Sequence, residues 1–158
     1  MKFKRFIVFE ADFPDDAVWD EAENLLSPGG KTVLQALVSA LGQCGFQTRE
    51  LYQHDDVGWD AFATAKSCRF ELTIQGGGPD STCPWLFIWR PTRTLIDILL
   101  FKNRREQCEA FLKTLETSLR SDPRFKNVQF LTEKEFEQRE LELFGSHTEE
   151  DTEGDADK

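Results

Sequence analysis

CRFELTIQ (residues 68–75), GGGPDST (76–82) and CPWLFIW (83–89), followed by RPTRTLIDILLF (90–101), is the stretch whose reading decides the fold. Phe70, Leu72 and Ile74 alternate with Arg69, Glu71, Thr73 and Gln75, the two-residue period of a strand with one buried face. Residues 85–89 are apolar throughout, so both faces of that strand must be covered, which makes it a central strand. The glycine-rich link between them is too short for a crossover helix. The two strands therefore pair as an antiparallel hairpin.

Working outward, residues 59–65 form a strand leading into the hairpin, and residues 47–53 form another before the turn His54-Asp55-Asp56-Val57-Gly58. Upstream of these, Val33, Leu34, Leu37, Val38 and Leu41 recur at the three- and four-residue spacing of a buried helical stripe. Gly45 is placed to end that helix as a left-handed cap. Residues 4–10 are a first strand, ending before the turn-forming Phe13-Pro14-Asp15-Asp16. Residues 17–26 fit a short helix with Val18, Ala22 and Leu25 or Leu26 on one side. Downstream, Leu95, Ile96, Ile98, Leu99 and Phe101 fit a buried helix or a strand equally well. Cys108, Phe111, Leu112, Leu115 and Leu119 then mark an amphipathic helix stopped by Ser121-Asp122-Pro123. Residues 127–131 make a last strand, and Thr132-Glu133-Lys134-Glu135 is a capping box opening a charged helix to about residue 144. The pattern predicts an α+β fold: a two-layer sandwich, with a mainly antiparallel sheet of five or six strands and two main helices on one face.

The chain of 158 residues is long enough for one domain with its own core, and fourteen Phe and four Trp supply bulky rings to fill it. Its net charge of -10 is uneven. Residues 146–158 carry six acidic side chains and one Lys, so half of the negative charge falls in a segment without large apolar residues. The expected division is a single domain over residues 1–145 and an acidic disordered tail over 146–158. Cys44, Cys68, Cys83 and Cys108 are too widely spaced for a CxxC pair or a structural zinc site, and read as reduced thiols. The basic, apolar start is interrupted by Glu10 and Asp12 before a secretory core could form, and Asp97 breaks the apolar run at 95–101. A soluble, cytoplasmic protein is expected.

Several motifs invite a chemical reading. Gly30-Lys31-Thr32 looks like the end of a phosphate-binding loop, but Leu25 stands where that loop needs its first glycine, and a glycine-softened turn explains the run. His54 beside Asp55 and Asp56 could serve as a general base or metal ligand. The one other histidine, His147, lies at the edge of the tail, so a solvated turn is the simpler reading. The run Glu10, Asp12, Asp15, Asp16, Asp20, Glu21 and Glu23 lacks calcium-loop spacing, and it contains no basic residue. Such a run is a solvated face or a docking surface for a basic partner, with Trp19 as an aromatic anchor. Arg90, Arg93, Lys102, Arg104 and Arg105 form the opposite concentration, but the overall negative charge disfavours nucleic acid.

Pro28-Gly29-Gly30, the helix that follows, Gly45-Phe46, Asp55-Asp56-Val57-Gly58-Trp59, Pro84-Trp85-Leu86, and a last helix before Asp122-Pro123 and Val128 together resemble a loose group of small bacterial proteins. Some of that group resemble immunity proteins of toxin systems. The resemblance covers most of residues 2–131, implies no shared catalytic residue, and leaves the tail outside it. Arg90 and Arg93 depart from it, standing where an acidic residue would follow the tryptophan strand.

Two readings follow. In the first, the chain is a non-enzymatic binding protein that occludes one basic protein, such as a toxin, through Asp12, Asp15, Asp16, Trp19, Asp20, Asp56 and Trp59. It needs no catalytic residue, cofactor or metal, and engages neither nucleic acid nor membrane. In the second, a small enzyme or ligand-binding domain works from a pocket near His54, Asp56 and Trp59. The lack of a recognisable catalytic constellation favours the first.

Overall fold

The computed structural model describes residues 3–55, 57–65, 68–77, 83–92 and 104–144. Asp56, the loop at 78–82, the ambiguous segment 95–101 and the tail from 146 lie outside the described residues. The elements run β1 (Phe6–Ala11), β2 (Val18–Trp19), β3 (Leu25–Ser27), α1 (Lys31–Gln43), β4 (Gln47–Thr48), β5 (Tyr52–His54), β6 (Gly58–Ala65), β7 (Cys68–Gly76), β8 (Trp85–Thr92), α2 (Arg104–Ser121), β9 (Phe125–Leu131) and α3 (Glu133–Phe144).

The main sheet is antiparallel, in the order β4-β6-β7-β8-β1-β9, with β5 also paired to β6. The β7–β8 hairpin forms as expected, with Leu72 opposite Trp89 and Ile74 opposite Phe87. The strand expected over 47–53 is broken into β4 and β5, both on β6, and this raises the strand count to seven.

The alternation of β7 places Phe70, Leu72 and Ile74 beneath the helix layer, where α1 contributes Val33, Leu34, Leu37, Val38 and Leu41. α2 contributes Cys108, Phe111, Leu115 and Leu119 to the same core. Phe111 stacks on Phe70 with ring centroids 4.1 Å apart, and Trp89 and Phe46 close round it. The opposite face is partly covered by α3, whose Phe136 packs with Val8, Leu86 and Leu131. β8 is thus buried on both sides, as its unbroken apolar run requires.

Helix boundaries follow from chemistry legible in the chain. Gly45, at φ 91°, ends α1 in a Schellman arrangement, with Phe46 N–H donating to the Leu41 carbonyl and Gly45 N–H to that of Gly42. Thr132 and Glu135 form the capping box of α3, the Glu135 carboxylate accepting from both the backbone N–H and the hydroxyl of Thr132.

Residues 17–26 are not helical. β2 and β3 form a separate two-stranded hairpin off the main sheet, with Val18 opposite Ser27 and Trp19 opposite Leu25. Asp20 decides the difference: its Oδ1 accepts from the N–H groups of Ala22 and Asn24, both at 2.8 Å, and its Oδ2 from the Asn24 side-chain amide at 2.9 Å. With Glu23 in the left-handed region at φ 62°, these bonds close a turn that competes with any helical turn there.

Candidate functional site

The acidic segment divides into carboxylates used by the fold and carboxylates left to solvent. Asp16 belongs to the fold. Its Oδ1 accepts from Gly30 N–H at 2.6 Å, and its Oδ2 from the N–H and hydroxyl of Thr32. The first turn of α1 has no acidic residue and its N-cap glycine has no side chain to offer, so Asp16 caps the helix from fourteen residues away. The helix start that resembled a phosphate loop already holds an anion of the chain's own. Gly30 is required there: it has φ 97°, and a Cβ would meet Trp85 Cζ3 at 2.6 Å.

Asp15 accepts from Ala17 N–H at 3.0 Å and sets the entry to β2. Asp20 holds the hairpin turn, and the Asn24 amide and backbone N–H keep its carboxyl below the usual range. Asp12 is open to solvent, with Lys126 Nζ 3.9 Å away. Glu10 accepts from the Asn127 side chain. The sequence run contains no basic residue, but the fold brings β9 alongside.

Between these carboxylates the hairpin exposes apolar surface. Trp19 is 57% exposed, Leu26 57% and Val18 49%. The other three tryptophans are buried. Trp59 donates its Nε1–H to the Pro28 carbonyl at 2.8 Å and lies beneath Lys31. Trp89 donates to the Lys4 carbonyl, and Trp85 covers Gly30 and Gly77. Trp59 therefore supports the turn joining the hairpin to α1 from below and is not itself a contact surface.

Of the pocket suggested by the sequence, His54 and Trp59 are not brought together, and Asp56 lies outside the described residues. β6 alternates, sending Trp59 to the helix side and Asp60 to the other, so His54 does not share a pocket with Trp59. His54 Nδ1 instead lies 2.8 Å from Oδ2 of Asp60, which is only 2% exposed. Tyr52 stands opposite Asp60 in the β5–β6 ladder, and burial first, then the charges of Asp60 and Glu71, push its hydroxyl pKa up. Asp60 was hidden in the sequence by the apolar neighbours of its strand, and its pairing depends on the β5–β6 register. Among the described residues no three His, Cys, Asp or Glu side chains converge to hold a metal ion. The basic concentration is also dispersed: Arg105 pairs with Glu109 on α2, Arg90 stands opposite Glu71, and Arg93 and Lys102 lie outside the described residues.

No family model, curated protein or solved structure matches the chain. No helix among the described residues is long and apolar enough to cross a membrane.

Proposed function

We propose that this chain is a non-enzymatic binding protein whose β2–β3 hairpin docks on one basic protein partner, in the manner of an immunity protein occluding a toxin in the cytoplasm. The observation that supports it is the exposure of Trp19, Val18 and Leu26 on a hairpin whose turn and base are fixed by Asp20 and Asp16. A large aromatic left in water on a braced scaffold can bury its area with little loss of conformational freedom, the property of an interface anchor. The exposed carboxylates of Glu21 and Glu23 in the hairpin, and of Asp12 before it in the chain, steer a cationic surface and penalise an anionic one. Asp16 and Trp59 act by holding the hairpin in place, and neither touches the partner in this reading.

The test begins with a pull-down from the native cell extract at low and high salt, followed by titration of the purified partner against variants. Trp19→Ala and the double reversal Asp12→Lys, Glu21→Lys should each weaken binding at least about tenfold, the loss typical of a central anchor or a steering pair. A basic partner bound equally well by both variants would remove the hairpin from the interface. Retention of no protein at either salt would end the docking reading.

A further inference from the structure

On the sheet face away from α1 and α2, a groove of about 590 Å³ is lined by Thr48, Arg49, Glu50, Tyr52, Phe62 and Arg69. The Arg69 guanidinium lies over the Phe62 ring, its Cζ 3.6 Å from the centroid. The Tyr52 ring stacks on the same Phe62 at 5.7 Å and 26°. Tyr52 stands opposite the buried Asp60, which pairs with the exposed His54.

Two features of this wall are not explained by packing. Arg69 Nε is buried without a hydrogen-bond partner, although Glu71 stands two residues along on the same face. Arg49, at the rim, also forms no ion pair among the described residues. A guanidinium is satisfied most readily by a planar oxyanion through paired N–H···O bonds. The lining carries two arginines against one carboxylate, Glu50, in a chain of net charge -10.

The geometry points to a small-molecule site for a planar aromatic carboxylate. Its ring lies against Tyr52 and Phe62, and its carboxylate is taken by Arg69 with Arg49. The groove is shallow and open on one side, which suits a flat ligand lying along its wall. This site is separate from the hairpin and does not depend on the docking reading.

Titration calorimetry with naphthoate, and with naphthamide as its neutral counterpart, tests the assignment on the intact chain. Naphthoate should bind with a dissociation constant below about 1 mM. The amide and the Arg69→Gln variant should each bind at least about tenfold more weakly, the scale of a lost charge-assisted contact. In the unmodified protein the Arg69 Nε–H resonance should shift on adding naphthoate, a readout that does not require a variant to fold. Absence of binding, equal affinity for the amide, or an unmoved Arg69 resonance would each overturn the proposal.

Discussion

Trp19 is the one tryptophan that the fold does not use, and its three buried counterparts show what use looks like. Trp59 and Trp89 each donate to a backbone carbonyl, while Trp85 fills the space over two glycines. Trp19→Ala should accordingly leave folding stability within about 0.5 kcal/mol by urea titration, as for most exposed substitutions, while weakening partner binding. Asp16 is the reverse case. Asp16→Ala removes the acceptor for the Gly30 and Thr32 N–H groups and should cost about 1 to 2 kcal/mol, the range of a lost helix cap. Gly30→Ala should cost about 2 kcal/mol or more, because it adds a Cβ against Trp85 at a left-handed backbone position. An unfolding midpoint unchanged in either variant would show that α1 starts without these contacts.

At the scale of elements, α3 is held by Phe136 and by a hydrogen bond from Arg139 Nη1 to Gln129 Oε1 on β9 at 2.6 Å. Phe136 stacks on Phe6 with centroids 4.5 Å apart and packs on Val8, Leu86 and Leu131. Phe136→Ala should destabilise the chain by about 3 kcal/mol, and hydrogen exchange should rise in α3 before it rises in α1. The start of the same helix gives a pH dependence. The backbone N–H and the hydroxyl of Thr132 hold the Glu135 carboxyl below its usual range. A carboxylate depressed in the folded state stabilises it above the unfolded value, and that contribution is lost as pH falls through the folded one. Thermal stability should therefore drop as pH is lowered below about 4, and Glu135→Gln should flatten that acid limb. An identical pH profile in the variant would mean that the capping bond does not distinguish folded from unfolded chain.

For the whole molecule, charge and layering were legible to different degrees. The apolar run at 85–89 required cover on both faces, and the structure supplies it, with α1 and α2 on one side and Phe136 of α3 on the other. The stripes of α1 and α2, the Gly45 cap and the capping box at Thr132 were legible because each depends on residues a few positions apart. Residues 17–26 were not, since the same spacing of Val18, Ala22 and Leu25 serves a helix, and only the bonds to Asp20 select the hairpin. The acidic run was visible in full, but not which of its members were already engaged: Asp16 is committed to a helix fourteen residues on, and Asp12 faces Lys126 from the far end of the chain. Asp60 and its pairing with His54, and the groove beside Tyr52, Phe62 and Arg69, have no local signature. The sequence alone thus determined the α+β class, the hairpin at the centre and the faces of both main helices, because periodicity and caps are short-range properties. Only the tertiary structure decided that Trp19 stays in water while Trp59 does not, and which carboxylates are spent on the backbone, because burial and pairing depend on strands and turns far apart in the chain.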